Sequence, residues 1–264
     1  MHPFFSLCAA RYAFLTEACG GLFLFLGKVY LEFPGISFYT YKGALIKLMG
    51  SEEMNVYEHL VQPERSGDLK KEVYAFLTEN GHRETAEHCM KVGEKARELA
   101  VRFGADPETA ASSGYLHDIS AVFSNDTRIS VSVQLGIEVL PEEESFPMII
   151  HQKMSKAIAR DLFGVADPEI LSAVECHTTL KKQASQMDKL LFTADKVAWD
   201  QKGTPPYLEE LNRGLALSLD HAAFAYIRYL WSRKDTLRVV HPWLREAYAD
   251  LSGRIGSEPE TCGT

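Results

Sequence analysis

The chain has 264 residues, 46% of them hydrophobic and 24% charged, which suits a globular protein built as one large domain or one domain with an appendage. Its formal charge of −8 argues against a general nucleic-acid binder, which would carry a basic face, yet leaves room for an anionic substrate wherever metal ions dominate the local field. The five cysteines (Cys8, Cys19, Cys89, Cys176 and Cys262) are odd in number and scattered without a CxxC pair, a pattern of reduced thiols in a cytoplasmic protein rather than a disulfide framework.

Residues 3–33 are rich in Phe, Leu, Tyr and glycine, but Arg11, Glu17 and Lys28 break the apolar runs below membrane-spanning length. No basic segment precedes the first apolar stretch, as a secretory signal would require. Residues 1–53 therefore read as an atypical apolar extension without evolved structure, with Met54 as the start of the working protein and 54–251 as its domain.

From there helix follows helix. Residues 69–78 carry Val73, Phe76 and Leu77 at helical spacing, and Asn80-Gly81 ends the run. The next helix is expected over 83–103, with Val92, Ala96, Leu99 and Phe103 on one face and Gly104 as its stop. Asp106-Pro107 supplies a cap and a first-turn proline for a helix carrying His117 and Asp118. Shorter helices are expected over 126–136 and 146–163, the latter closed by Gly164, and Asp167-Pro168 repeats the cap for 169–176. Residues 188–199 follow, then a Gly-Thr-Pro-Pro turn at 203–206, a long helix over 207–233 and a last one over 242–251. Residues 252–264 read as a disordered tail. The fold class is all-α, with no membrane span in the body.

Within this frame the stretch ASSGYLHDIS at 111–120 stands apart, because an unpaired carboxylate in an apolar helical run costs several kcal/mol. A cation is expected beside Asp118. His88, His151, His177 and Asp195 each lie in a helical segment of their own, and six such ligands fit a two-metal site for phosphate ester chemistry. The ions of such a site lie only ~3.5–4 Å apart, so one carboxylate has to bridge them, and Asp118 is the natural bridge. Singly, each residue has a plainer role: His88 as a core or surface histidine, His151 at a helix start, His177 as a cation at a helix end. Asp195, among Phe192, Ala194 and Val197, is harder to explain without a partner, and the set together favours metal. Imidazole and carboxylate suit iron, manganese or zinc, and no cysteine pattern pulls toward zinc. His59, His82, His221 and His241 lack such company and read as structural.

The order His88, His117-Asp118, His151, His177-Thr178, Ala194-Asp195 resembles the HD-domain superfamily of metal-dependent phosphohydrolases, and more narrowly its YqeK-type members. Supporting runs are ELAVRFG at 98–104, ARDLFG at 159–164, PEILSAV at 168–174, HTT at 177–179 and LLFTAD at 190–195. The likeness covers residues 80–250. It implies an HD-domain helical bundle around a dinuclear centre, most simply di-iron, and symmetrical cleavage of diadenosine tetraphosphate to two ADP. By the same resemblance His88, His117, Asp118 and Asp195 would hold one ion. His151 and His177 would hold the second with Asp118 bridging, and metal-activated hydroxide at the His117-Asp118 pair would attack phosphorus. A small nucleotide is the implied partner, and a homodimer is compatible with it.

The chain departs from the family outside the metal shell: Ala121 stands where a lysine is frequent, Gln201 where an arginine is common, and TLKK at 179–182 replaces a glycine-bearing loop. Lys153, Lys181, Lys182, Lys196 and Arg128 are the candidates to replace these phosphate contacts, and Trp199 and Tyr207 could stack on a base. Two alternatives stay open: an HD hydrolase of a mononucleotide or alarmone, and a non-catalytic HD regulator that binds metal or nucleotide.

Overall fold

The computed structural model describes the strand residues 22–25, 28–33, 36–41 and 44–48, then residues 55–199 and 202–256. It divides into two compact units, Met1–Glu58 and His59–Thr264. In the first, strands β1 (Leu22–Phe25), β2 (Lys28–Phe33), β3 (Ile36–Tyr41) and β4 (Ala44–Leu48) form an antiparallel sheet in chain order, registered through Leu24 on Val29, Leu31 on Phe38 and Tyr39 on Ile46. The extension was expected to lack structure. Its β-branched and aromatic residues, with Gly27, Gly35 and Gly43 second in each two-residue gap, carry the hairpin pattern that this expectation passed over. Met54 lies outside the described residues.

The second unit is all-α among its described residues. Its helices are α1 (Leu69–Glu79), α2 (Arg83–Phe103), α3 (Pro107–Leu116), α4 (Arg128–Gln134), α5 (Pro141–Ser145), α6 (His151–Asp161), α7 (Pro168–Cys176), α8 (Gln186–Val197), α9 (Leu208–Leu217), α10 (Leu219–Trp231) and α11 (Pro242–Gly256). Local chemistry places most of their ends. Asp106 and Asp167 accept backbone N–H groups at the first turns of α3 and α7, each ahead of a proline, and Gly104 closes α2 in the left-handed region at φ 70°. Ser185 and Asp188 cap α8 reciprocally. None of these helices is long and apolar enough to cross a membrane.

Four expected helices differ. Helix α3 stops at Leu116, so His117 and Asp118 lie past its end and lead into a 3-10 turn, Ile119–Val122. The helix expected from 146 begins only at His151, because Pro147 drives Phe146 into an extended conformation (φ −139°, ψ 80°). The expected long helix over 207–233 breaks at Ser218, which turns extended and caps α10 through His221 N–H. Gly214 permits that hairpin: a Cβ there would meet Ala222 N at 2.7 Å. Helix α11 continues through residues 252–256, expected to be tail; residues 257–264 lie outside the described residues.

The centre of the bundle is the crossing of α2 and α3, flanked by α7 and α8. Gly93 and Gly114 meet there so closely that a Cβ on Gly114 would lie 2.5 Å from Gly93 Cα. On the far side Cys176, Phe192, Ile227, Leu244 and Leu251 make an apolar cluster that seats α10 and α11. This frame brings the start of α2 and the ends of α3, α7 and α8 to one place.

Candidate metal centre

All six expected ligands converge. His88 comes from the second turn of α2, His117 and Asp118 from the end of α3, His151 from the first turn of α6, His177 from the end of α7 and Asp195 from the last turn of α8. Asp118 Oδ1 lies 3.2 Å from His151 Nε2 and 3.4 Å from His177 Nε2, while its Oδ2 lies 3.4 Å from His117 Nε2. Asp195 Oδ1 is 3.2 Å from His88 Nε2 and 3.7 Å from His117 Nε2. His88, His117 and Asp195 make one group that could hold an ion, and His117, Asp118 and His177 make another.

The helix ends explain how the rings are aimed. The last carbonyls of a helix have no partner within it, and His117 and His177, each one residue past its helix, turn Nδ1 back onto the carbonyl three residues earlier: Gly114 O at 2.8 Å and Val174 O at 2.9 Å. His151 does the same with Met148 O at 2.6 Å. A carbonyl only accepts, so Nδ1 carries the proton and Nε2 faces the centre as the atom that could coordinate. Ser120, just beyond the dyad, ties the 3-10 turn to α6 by donating to His151 O at 2.8 Å and by accepting from Ser155 Oγ.

The centre fits a cation on its own chemistry. His117 Nε2 is buried with no hydrogen-bond partner, although two carboxylates face it. Burial opposes charge on His117, yet Asp118 and Cys89 together outweigh it and hold the imidazolium well above the usual histidine range; a proton collects where a metal ion would displace it. Burial likewise opposes ionisation of Asp118 and Asp195. Even so, His117, His151 and His177 keep Asp118 well below the usual carboxylate range, and Lys196 with His88 and His117 does the same for Asp195. Burial lowers His177 to about 4, leaving it neutral and free to ligate. Nitrogen and oxygen donors without a thiolate suit iron, manganese or zinc alike.

Above this floor opens a cleft of about 420 Å³ walled by Trp199, Tyr207, Tyr226, Glu84 and Thr85, with His88, Asp118, Asp195 and Lys196 reaching into it. Trp199 and Tyr207, the expected base-stacking pair, meet edge to face at 6.3 Å. The phosphate candidates separate sharply. Lys196 hydrogen-bonds Asp195 and the His177 carbonyl and lies over the Tyr226 ring at 5.5 Å. Arg128 donates to Phe123 O and Asn125 and is close enough to feel the charge of Asp118.

Lys153 and Lys181 are engaged by other partners. Lys153 is buried against Glu143 at 2.9 Å, and Lys181 donates to Ser172 and pairs with Asp188 at 3.5 Å, so buried acids hold both within the frame. Lys182 is exposed and is absent from the cleft lining. Gln201 lies outside the described residues. His241, read as structural, hydrogen-bonds the buried Glu143 at 3.3 Å, and His221 pairs with Ser218. Tyr226, Glu84 and Thr85 escaped the sequence reading, since they reach the cleft from α10 and the first turn of α2 with no local motif.

The model of the HD domain matches residues 85–200, a span holding all six of these residues. An uncharacterized protein in the pepC 5′ region of Lactococcus lactis subsp. cremoris is 45% identical over 143 residues, covering 54% of this chain and 72% of that protein. The chain belongs to the HD-domain family. It is thus an HD-superfamily phosphohydrolase by descent. A symmetrical bis(5′-nucleosyl)-tetraphosphatase of Staphylococcus aureus is 30% identical over 112 residues, 42% of this chain and 56% of that one. A probable nicotinate-nucleotide adenylyltransferase/Ap4A hydrolase of Mycoplasma genitalium is 29% identical over 117 residues, 44% of this chain and 32% of that one. The fold likewise matches the crystal structure of a predicted HD superfamily hydrolase involved in NAD metabolism from Clostridium acetobutylicum, with a TM-score of 0.64 at 22% identity, over 70% of this chain and 97% of that one.

Proposed function

We propose that the chain hydrolyses a small nucleotide at a dinuclear centre, and that its substrate is a dinucleoside tetraphosphate cleaved symmetrically, as diadenosine tetraphosphate to two ADP. The observation that carries this is the division of Asp118: one oxygen faces His117, the other faces His151 and His177, so a single carboxylate serves two positions at the floor of an aromatic cleft. His88, His117, Asp118 and Asp195 would hold one ion, and His151 and His177 with Asp118 the other, iron being the first candidate and manganese or zinc the alternatives. Two ions there would offset phosphoryl charge and bring the pKa of a water toward ~7.

The chain's own residues do the rest. Asp118 and His117 set the reacting position, Arg128 and Lys196 place positive charge beside it, and Trp199 offers its indole to a base. The relatives named as tetraphosphatases support the choice of substrate. Ala121, in place of the frequent family lysine, favours a second reading in which the phosphate chain is shorter, as in a mononucleotide.

Protein loaded with iron or manganese, assayed on diadenosine tetraphosphate and a mononucleotide panel with chromatographic identification of products, tests both. Two ADP and no AMP is the expected outcome. AMP with ATP would overturn symmetrical cleavage, turnover of mononucleotides alone would favour the shorter substrate, and no hydrolysis of any of them would refute the enzyme reading.

A further inference from the structure

His151 and His177 point their Nε2 atoms at each other across 3.0 Å. Both rings have committed Nδ1–H to a carbonyl, so both turn their other ring nitrogen to the same point. A shared cation holds that arrangement, and the protein without metal needs something else to hold it. The contact does not come from the loop's own preference. Between α7 and α8 the backbone passes through the left-handed region at Leu180 (φ 55°) and Gln183 (φ 54°), neither of them glycine.

One side chain ties the first residues of that loop to α6. Gln152 is fully buried and follows His151 directly. Its Oε1 accepts from Thr178 N at 3.1 Å and Thr179 N at 3.3 Å, and its Nε2 donates to Thr179 Oγ1 at 3.0 Å. Thr179 Oγ1 in turn donates to Leu180 O at 3.0 Å. The residue after one ligand thus grips the backbone after the other, using every polar atom of its amide. Thr178 Oγ1 completes the bracket, 3.1 Å from His151 Nε2.

We infer that Gln152 is a positioning residue for the second metal ion, setting the spacing of His151 and His177 through its bonds to Thr178 and Thr179. The inference rests on the two-ion reading. Gln152 touches neither centre nor substrate; it acts through the two imidazoles. Loss of such outer-shell support costs about 10–100-fold in metal affinity, and the loss should fall on one ion.

The test uses the full chain as wild type, Gln152→Met, Gln152→Glu and Thr179→Val, titrated anaerobically with Fe(II) and separately with Mn(II), with bound metal counted by mass spectrometry and helicity followed by circular dichroism. Wild type should bind two ions. Gln152→Met should keep the first and bind the second about 10–100-fold more weakly at unchanged helicity. Gln152→Glu keeps the acceptor for both N–H groups and should restore two-ion binding. Thr179→Val removes only the hydroxyl link and should weaken the second ion to a smaller degree; it decides the matter if Gln152→Met does not fold. Two ions bound with wild-type affinity in Gln152→Met, or in Thr179→Val where the former is unfolded, would overturn the inference. Uniform loss of both ions would reduce Gln152 to a general structural part, and that outcome also overturns it. If wild type binds one ion, the two-ion reading fails separately; Gln152 keeps its role only if that ion is lost in His151→Ala and weakened in Gln152→Met, and loses it otherwise.

Discussion

Replacing Lys153 with methionine separates a structural role from a substrate role. Its ammonium donates to Glu143 Oε2 at 2.9 Å and to Glu138 O at 3.0 Å and lies 5.0 Å over the Trp243 ring, with the lysine 7% exposed and Glu143 fully buried. Methionine refills the space of the aliphatic stem, so the main loss is electrostatic: Glu143 becomes a buried carboxylate without its cation. Removing one partner of a buried pair costs about 3–5 kcal/mol. Leu140 N–H and His241 still reach Glu143, which puts the expected loss near the lower bound, about 3 kcal/mol. For a body of this size that lowers Tm by about 6–12 °C. Thermal unfolding of the full chain measures it, and Glu143→Gln combined with Lys153→Met should recover most of the loss, because no charge is then left alone.

The same pair sets an acid limit. Burial opposes the Glu143 charge, but His241, Leu140 N–H and Lys153 together hold its carboxyl below the usual range. Its contribution is therefore complete above the unfolded carboxyl value of about 4.3 and disappears as pH falls through the lower folded value. Glu143→Gln should flatten the stability profile below that pH. An unchanged Tm for Lys153→Met with a raised KM would refute the reasoning and return Lys153 to the substrate.

Two further outcomes follow from the geometry. Asp118→Ala should abolish metal binding and turnover while circular dichroism stays near wild type, since Asp118 lies past the end of α3 and its side chain makes no helix-capping hydrogen bond; retained metal and activity would contradict its bridging position. Gly114→Ala should cost at least about 2 kcal/mol, because its Cβ would meet backbone rather than a side chain that can move, and metal affinity should fall with it, as Gly114 O holds His117 Nδ1. Chemical denaturation and metal titration of that variant read the two effects, and unchanged values of both would show that α2 and α3 separate without cost.

By itself the sequence determined the all-α body, most helix ends and the set of histidines and aspartates that converge at the candidate centre. Caps such as Asp106, Asp167 and Gly104 act within one turn, so their chemistry is legible locally, and a histidine or aspartate in apolar company signals a missing partner wherever it stands. Local periodicity misled where it ran on through a turn, as at Ser218, where Gly214 can approach Ala222, or at Leu116, where the helix ends and releases the dyad. Only the tertiary structure decided which cations face the cleft. Lys153, Lys181 and Lys196 look alike in sequence, but Glu143 and Asp188 draw the first two into the frame while Asp195 keeps the third at the site. It also decided that Gln152 grips Thr178 and Thr179 across 26 and 27 residues of chain. The reason is physical: a helix cap is satisfied by neighbours in the chain, whereas a buried charge or amide is satisfied by whatever the fold brings within hydrogen-bonding or ion-pairing reach, and no spacing rule records that.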